Sequence, residues 1–226
     1  MAHRVFLGSG KHFVNKTVDV VQRFNYLLVL DFEATCVRSG KIEPQEIIEF
    51  PCMTLSTQDW KVKDVFHEYV KPRVHPLLSS FCMDLTGIVQ EKVDGGASFP
   101  ETMSKFSNWL SNGGYFRGDC KSAFVTCGDW DLKVMLPSQC ALERLEVPDC
   151  FETWIDLKKI FADTMHHYPR SMMDMLTRLE IKHTGKLHSG IDDTQNMVKI
   201  IEHLAVLHNA NFVLTSSIRH LHRIYK

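Results

Sequence analysis

Tyr26-Leu-Leu-Val-Leu-Asp31-Phe-Glu33-Ala-Thr-Cys36 is a run of five apolar or aromatic residues that leads directly into two acids. An unbroken apolar run of this length is typical of a strand buried on both faces, as in the centre of an α/β sheet. Residues two apart in a strand point to the same side, so Asp31 and Glu33 project together from its end. The stretch therefore predicts the central strand of a sheet with two carboxylates beside the core.

Two neighbouring carboxylates at the edge of a core repel each other unless a positive charge lies between them. Hard divalent cations such as Mg²⁺ prefer carboxylate oxygens, so the pair is a candidate metal site. The alternative is that Asp31 only ends the strand and Glu33 is solvated. Short acidic patterns recur by accident, so other parts of the chain must supply the remaining ligands.

The composition is that of an ordinary globular protein, with 226 residues, 44% of them hydrophobic and 23% charged, which fits one domain. No apolar run is long enough to span a membrane and the N-terminus lacks a signal-peptide core. Seven scattered cysteines without a Cys-x-x-Cys pair indicate free thiols, so we expect an intracellular protein of the cytoplasm, the nucleus or both. The net charge of −1 argues against a large basic surface for nucleic acid, but not against holding a nucleic-acid end through metal ions.

Strands alternate with helices along the chain, which predicts a single α/β domain. Strands are predicted over residues 26–30, 46–55, 65–70, 122–127 and 211–215, and helices over residues 99–110, 128–145, 154–161, 172–179 and 192–207. Pro51 predicts a bulge or an edge position in the second strand, and Pro137 predicts an interruption or a kink in the second helix. The expected division is a lead-in over residues 1–23, a domain over residues 24–215 and a basic tail over residues 216–226.

Further acids lie where two helices are predicted to begin. Asp129 and Asp131 follow the fourth strand, and Asp192 and Asp193 open the last helix. An acid in a first turn also complements the helix dipole, and we interpret Asp129 and Asp192 as solvated or capping acids. His188 lies five residues before Asp193 on a loop that contains glycine, where a histidine beside carboxylate-bound metal is a natural proton acceptor. Because the chain has 12 histidines, an ordinary surface histidine is the alternative.

The order of these motifs resembles the DEDDh 3′–5′ exonucleases, which share a strand ending Asp-x-Glu, an Asp between a strand and a helix, and a His-x₄-Asp opening a late helix. Other segments are similar to the enhanced-RNAi branch of that family, which includes the exoribonuclease that trims histone mRNA ends and short interfering RNA. Those segments are residues 30–36, 46–51, 81–82, 85–88, 130–131, 154–157 and 188–193. Residues 124–137 are most similar to the prion-protein-interacting members of the branch. The resemblance covers residues 24–215 and implies a ribonuclease H-like exonuclease fold, with a mixed central sheet of about five strands flanked by helices.

The resemblance also implies roles for individual residues. Two divalent ions, Mg²⁺ with Mn²⁺ as the alternative, would be held by Asp31, Glu33, Asp131 and Asp193. His188 would act as the general base, beside Glu33 in the catalytic set. The 3′-terminal base would stack between Phe81 and Trp130, for which ordinary core packing is the alternative. Residues that resemble the lining of the terminal nucleotide are Phe32, Ala34, Thr35, Leu85, Thr86 and His188.

The function implied is a metal-dependent 3′–5′ exoribonuclease that releases nucleoside 5′-monophosphates by a two-metal mechanism. Its expected partners are RNA 3′ ends, single-stranded or with short overhangs, and no membrane; protein partners are left open. The alternatives are an exodeoxyribonuclease of the same fold and a non-catalytic module that binds RNA ends or a protein. The predicted tail is a candidate segment for binding backbone phosphates, and the alternative is a solvated surface segment. Its basic residues are Arg219, His220, His222, Arg223 and Lys226.

Overall fold

A computed structural model describes residues 20–218, so most of the predicted lead-in, and every basic residue of the predicted tail, lie outside the described part. The strands of the described part are β1 Tyr26–Leu30, β2 Glu33–Ala34, β3 Ile47–Ser56, β4 Val62–Tyr69, β5 Ser122–Thr126, β6 Thr153–Asp156 and β7 Ser216–Ser217. Its helices are α1 Ser80–Thr86, α2 Gln90–Asp94, α3 Phe99–Asn112, α4 Leu136–Leu142, α5 Leu157–Met165, α6 Met172–Arg178 and α7 Gly190–His208, with a π-helical turn at Asp131–Met135 and a 3₁₀ turn at Asp149–Phe151.

The described strands form one mixed sheet in the order β2-β3-β1-β5-β6-β7, and β4 pairs with β3. β1 is parallel to β5, and β5 is parallel to β6, whereas β3 runs antiparallel to both β1 and β4. This architecture confirms the predicted α/β class, with a mixed sheet flanked by helices. The predicted count of about five corresponds to the longer strands, and β2 and β7 add two residues each.

The central position predicted for β1 is confirmed by packing on both of its faces. Leu27 and Val29 are fully buried in a cluster that also contains apolar residues of α5, α6 and α7. Leu28 and Leu30 are fully buried on the opposite face with residues of α3 and α4. Each of these aliphatic side chains stabilises the fold by about 1.5–3 kcal/mol relative to exposure. Packing on both faces therefore fixes the position of the C-terminal end of β1, which Asp31 and Glu33 follow.

The predicted bulge or edge position at Pro51 is wrong, because β3 is buried along its whole length between β1 and β4. Leu30 pairs with Cys52 and Glu33 pairs with Glu49, a register that sets Asp31 opposite Pro51. Asp31 belongs to neither β1 nor β2, so Pro51 has no strand to pair with on that side. The missing N–H of proline therefore costs no hydrogen bond there. β4 also begins at Val62, three residues before the predicted start.

The helix predicted over residues 154–161 is wrong in its first half. Thr153–Asp156 is strand β6, which pairs in parallel with β5, and only the following residues form α5. The Asp156 side chain accepts a hydrogen bond from Lys158 N and so caps that helix. The apolar residues Trp154 and Ile155 are fully buried, and so short a run carries no periodicity that separates strand from helix.

The strand predicted over residues 211–215 is also wrong. Phe212 N donates to Gln22 Oε1 and Thr215 N donates to Trp154 O, so this segment is held by scattered contacts and not by a ladder. The strand forms later, where Ser216–Ser217 pairs with β6 as β7. These two residues lie in the predicted tail but belong to the sheet.

The remaining helices agree with the predictions in type and differ at their ends. The predicted helix over residues 128–145 is the π-helical turn followed by α4, and it ends at Leu142. The π-helical turn passes directly into α4 at Leu136, immediately before Pro137, so the helical run changes type there but is not interrupted. α7 begins at Gly190, two residues before the predicted start. From residue 20 to residue 218, no helix combines the length and apolarity needed to cross a membrane.

Candidate active site

The parallel pairing of β1 and β5 brings the segments that follow both strands to one edge of the sheet. The start of α7 packs against the same edge. A Cβ atom at Gly190 would lie 2.6 Å from Asp31 O and 3.0 Å from Pro51 Cγ, distances too short for any side chain. Glycine at this position therefore lets α7 approach the end of β1 closely, and this approach brings in Asp193.

Two of the predicted acids are held in place by backbone hydrogen bonds. Asp131 is 4% exposed, and its Oδ1 accepts from Phe32 N at 2.9 Å, which ties the π-helical turn to the end of β1. Asp193 is 5% exposed, and its Oδ2 accepts from His188 N at 2.9 Å, which ties the preceding loop to α7. Asp131 and Asp193 each have a second carboxylate oxygen that these backbone bonds do not use.

The predicted histidine lies against this cluster. Each of Glu33, His188 and Asp193 offers one ligand atom, and these three atoms all lie within 4.8 Å of one another. His188 is exposed, and its φ of 64° is in the left-handed region that non-glycine residues seldom adopt. An exposed imidazole beside the half-buried Glu33 and the buried Asp193 is accessible to both solvent and a bound ligand.

The pKa values of the acids show that the carboxylates are close enough to repel one another. Burial raises the pKa of Asp31 well above its ordinary range, and the charges of Asp131, Glu33 and Asp193 raise it further, in that order. Burial and the charge of Glu49 raise the pKa of Glu33 to about 9. Burial raises the pKa of Asp131 to about 6, opposed by the hydrogen bond from Phe32 N.

This donor set fits a divalent cation. Asp193 Oδ1 is buried and has no hydrogen-bond partner among the described residues. The nearest cationic candidate is His183 Nε2 at 3.7 Å, which is itself unpartnered within the described part. An orphaned carboxylate oxygen among mutually repelling carboxylates is what a hard cation satisfies. The residues that would hold it are Asp31, Glu33, Asp131 and Asp193.

The sequence interpretation missed two residues beside this cluster. Glu49, on β3, is 1% exposed and lies opposite Glu33 in the sheet register. His183 faces Asp193 from the loop before α7. An acid inside an otherwise apolar strand is the signal that could have revealed Glu49, whereas nothing local distinguishes His183 from the other histidines.

The two acids set aside from the metal site have structural partners. Asp129 Oδ1 accepts from Ser216 Oγ at 2.5 Å and from Trp154 Nε1 at 3.2 Å, so it binds β6 and β7 and is not simply solvated. Asp192 Oδ2 accepts from Lys186 N at 2.9 Å and closes the turn before α7. Both interactions are consistent with leaving these acids out of the ligand set.

The predicted nucleotide contacts lie on the elements around the cluster. α1 carries Phe81, Leu85 and Thr86, and it is attached to the end of β2 by the Cys82 thiol, which donates to Ala34 O at 3.8 Å. The loop that carries His188 reaches α1 through Lys186 Nζ, which donates to Asp84 O at 2.8 Å. The end of β2, α1 and the His188 loop are therefore joined by direct contacts.

These predicted contacts differ in accessibility. Trp130 is 39% exposed and Phe81 is partly exposed, with the Arg38 guanidinium 5.1 Å from its ring centroid. Thr35 is buried, and its hydroxyl accepts from Glu46 N. Thr86 is buried as well, and its hydroxyl donates to Cys82 O. Phe32 packs edge-on against Phe50, and Ala34 is buried.

A sequence profile of the RNase_T family, described as exonuclease, matches residues 28–201. The chain belongs to this exonuclease family. Human (Homo sapiens) ERI1 exoribonuclease 3 is 48% identical over 185 residues, which cover 81% of this chain and 55% of that protein. The chain thus spans about half the length of the curated relatives it matches.

Two solved structures place this chain within the DEDDh group. The nuclease domain of 3′hExo, a DEDDh family member bound to rAMP, matches with a TM-score of 0.82 and 32% identity, over 86% of this chain and 98% of that one. A structure of 3′-end-specific recognition of histone mRNA stem-loop by 3′-exonuclease matches with a TM-score of 0.78 and 31% identity, over 86% and 92% of the two chains. The predicted resemblance to DEDDh exonucleases of the enhanced-RNAi branch is confirmed, and this family depends on divalent metal ions.

The raised pKa values predict that the metal-free protein loses stability as the pH rises. The pKa of Glu33 is about 9 in the folded chain against an ordinary 4.5, so its contribution is present at low pH and is lost as the pH rises through about 9. Divalent cations bind the deprotonated carboxylates, so the stabilisation that they provide should grow over the same range. We expect the Tm in EDTA to fall from pH 6 to pH 9 while the Tm gain on adding Mn²⁺ increases, as measured by thermal unfolding.

Glu33→Gln is the control for this pH dependence, because it removes the group that titrates near pH 9. Its Tm in EDTA should change less between pH 7 and pH 9 than that of the wild type. A wild-type Tm that rises over this range in EDTA would contradict the electrostatic account of the cluster.

Proposed function

We propose that this chain is a metal-dependent 3′–5′ exoribonuclease that removes nucleoside 5′-monophosphates from RNA 3′ ends. The observation that carries the proposal is the gathering of buried and half-buried carboxylates and one exposed histidine at the carboxyl edge of β1 and β5, in a member of the DEDDh family. Two Mg²⁺ ions, with Mn²⁺ as the alternative, are the proposed cofactors. Asp31, Glu33, Asp131 and Asp193 are their proposed ligands.

The divalent ions would supply charge neutralisation at the scissile phosphate, activation of the attacking water and stabilisation of the leaving 3′-oxygen. His188 accepts the proton of the attacking water, because its imidazole is exposed and lies within reach of Glu33 and Asp193. Its backbone N–H to Asp193 Oδ2 keeps the loop in register with α7. Phe32 N, through its bond to Asp131 Oδ1, fixes the acid that follows β5 against the end of β1.

The terminal nucleotide would lie between α1 and the π-helical turn. Phe81 on α1 and Trp130, directly before the π-helical turn, have accessible aromatic rings, and stacking on them is sequence-tolerant. Leu85 and His188 would contact the sugar and base through their side chains. Phe32, Ala34, Thr35 and Thr86 are buried, so they would contribute shape and backbone groups, and backbone groups can read the ribose 2′-hydroxyl that distinguishes RNA from DNA.

The test is the product ladder from 5′-labelled oligonucleotides. Single-stranded RNA, stem-loop RNA with a short 3′ overhang, and DNA of matched sequence are each incubated with Mg²⁺, Mn²⁺ or EDTA. We expect a metal-dependent ladder that shortens one nucleotide at a time from the RNA 3′ end, with nucleoside 5′-monophosphate as product. Faster shortening of DNA would replace the RNA assignment by an exodeoxyribonuclease, and internal cuts would contradict the proposal. RNA binding without cleavage in either metal would favour the non-catalytic module.

The stacking role predicts a specific loss of substrate affinity. Trp130→Ala should raise KM for RNA by about 5- to 150-fold, since base stacking on an aromatic ring contributes roughly 1–3 kcal/mol. Val134→Ala is the matched control, because Val134 is 50% exposed on the π-helical turn that directly follows Trp130. Steady-state kinetics on single-stranded RNA measures both variants. A KM in Trp130→Ala equal to that of the control would remove Trp130 from the nucleotide site.

We further propose an intracellular location, in the cytoplasm, the nucleus or both, and RNA 3′ ends as the main partner. The support for the location is that all seven cysteines are free thiols. Localisation of the tagged chain by fluorescence microscopy tests it, and a secreted product would contradict it.

A further inference from the structure

Glu49 lies in the middle of β3 and uses both carboxylate oxygens within the protein. Its Oε2 accepts from Gly190 N at 2.9 Å, and its Oε1 accepts from Ile191 N at 3.3 Å. His67 Nε2 on β4 lies 2.7 Å from the same Oε1 and donates to it. Three donors from two different elements therefore converge on one carboxylate that is 1% exposed.

The two backbone donors belong to the first turn of α7, close to two residues of the active site. His188 lies two residues before Gly190, and Asp193 lies three residues after it. On the other side, Glu49 is the sheet partner of Glu33. A shift of the α7 start away from β3 would move His188 and Asp193 together, relative to a Glu33 that stays in the sheet.

Close packing makes this attachment stiff. The space that a Cβ at Gly190 would need is already occupied by Asp31 O, Pro51 Cγ and Glu49 Oε2, the last at 3.1 Å. Glu49 also lies close enough to Glu33 that, after burial, its charge is the largest cause of the raised pKa of Glu33. Yet its oxygens already face N–H donors, so it supports the metal ligands without being placed as one of them.

We propose that Glu49 is a positioning residue of the metal site: it binds the start of α7 to β3 and so holds His188 and Asp193 at their short distance from Glu33. His67 holds the Glu49 carboxylate in place from β4. Residues that orient metal ligands commonly change metal affinity or activity by 10- to 100-fold when they are replaced. The inference rests on the proposed metal site, but its main readout is metal binding and not RNA cleavage.

The test compares Glu49→Gln with Glu46→Gln. Glutamine keeps one acceptor oxygen and presents an NH₂ group where the other oxygen was, so at least one of the three donors loses its acceptor. Glu46 is a matched control, because it is also 1% exposed, directly precedes β3 and accepts backbone hydrogen bonds from Arg73, Val74 and His75. Its side chain binds a different loop, away from α7.

We expect Glu49→Gln to weaken Mn²⁺ binding by about 10- to 100-fold in isothermal titration calorimetry. Its kcat on single-stranded RNA should fall by a similar factor, while KM changes by less than about twofold because Phe81 and Trp130, the proposed stacking residues, lie on elements that Glu49 does not hold. Glu46→Gln should lower Tm yet bind Mn²⁺ as the wild type does. A general loss of stability would affect both variants alike, whereas a positioning role separates them.

Mn²⁺ affinity in Glu49→Gln equal to that of the wild type would overturn the inference, and so would an equal loss in Glu46→Gln. If Glu49→Gln does not fold, His67→Ala carries the test, since it leaves Glu49 in place and removes one donor. It should weaken Mn²⁺ binding by about threefold or more, and an unchanged affinity would overturn the inference. If wild-type protein binds Mn²⁺ in a Glu49-dependent manner but cuts no RNA, the proposed function fails and the positioning role stands.

Discussion

Asp131→Asn is expected to lower kcat on RNA by about 10³-fold or more. The reason is that the variant removes one ligand from the proposed site, and metal ions contribute several kcal/mol to transition-state stabilisation, with each 1.36 kcal/mol worth a factor of ten. Asparagine keeps the Oδ1 acceptor for Phe32 N, so the local geometry is retained while the charge is lost. Single-turnover kinetics in saturating Mg²⁺ measures this effect.

The same substitution should have the opposite effect on the metal-free fold. Asp131 is the charged neighbour that contributes most to the raised pKa of Asp31, so removing its charge relieves repulsion and should raise Tm in EDTA. Wild-type protein in Mn²⁺ at a hundred times its Kd should gain about 2.7 kcal/mol, or roughly 5–10 °C in Tm. Asp131→Asn should lose most of that gain, which thermal unfolding with and without Mn²⁺ would measure.

Asp129→Asn is the control for Asp131→Asn, because it changes the same residue type two positions away. Asp129 accepts hydrogen bonds from Ser216 and Trp154 and lies 3.5 Å from Lys159 Nζ. Its replacement should lower Tm through the β6–β7 edge and leave the Mn²⁺ response intact. Near-wild-type cleavage by Asp131→Asn, or a larger loss of activity in Asp129→Asn, would show that the ligand assignment is wrong.

His188→Asn is expected to lower kcat by about 10²- to 10⁴-fold, the usual contribution of a general base. Asparagine tolerates the left-handed conformation that residue 188 adopts, so the loop is not strained by the change. The side chain is exposed, and the bond to Asp193 Oδ2 comes from the backbone, so Tm and Mn²⁺ affinity should stay close to the wild type. Kinetics and calorimetry on the same preparation separate the two effects.

His166→Asn is the control for His188→Asn, since His166 is an exposed histidine with a φ of 53° at the end of α5. It should cleave RNA at the wild-type rate. Added imidazole should restore part of the activity of His188→Asn, because a free base can replace a missing one. A weakening of Mn²⁺ binding that accounts for the whole loss of kcat would instead make His188 a ligand and remove it as the base.

The exonuclease-family match and the proposed metal site cover the same part of the chain. The exonuclease profile spans residues 28–201, which include all the proposed ligands and the histidine. Human ERI1 exoribonuclease 3 is about twice as long as the region that it shares with this chain, so the substrate of this chain is a question for the oligonucleotide panel and not for the fold. Glu49 adds a test of the metal site that does not depend on knowing that RNA.

The main features of the fold could be predicted from the amino-acid sequence because their signals are local, and the same motifs, with the family resemblance, supplied the proposed ligands. An apolar run buried on both faces marks β1, and two acids at a spacing of two must share one side of the chain that follows it. Asp131, His188 and Asp193 follow from short motifs at the ends of elements, in the order that the family shares. The sequence pattern does not give the distances between these residues. In the folded chain, the ligand atoms of Glu33, His188 and Asp193 lie close to one another.

Tertiary structure alone decided the features that depend on partners distant in the chain. β6 is a strand because β5 lies beside it, and β7 forms at Ser216–Ser217 because β6 offers an edge there. A proline is tolerated within buried β3 at Pro51 because Asp31, opposite it, belongs to no strand and forms no pairing there. The local sequence shows Glu49 only as an acid within an apolar strand. Its three hydrogen-bond donors come from residues that lie 18 to 142 positions away in the chain. Burial without these partners would be prohibitive for a carboxylate, so its role is determined by the packing of α7 and β4 against β3.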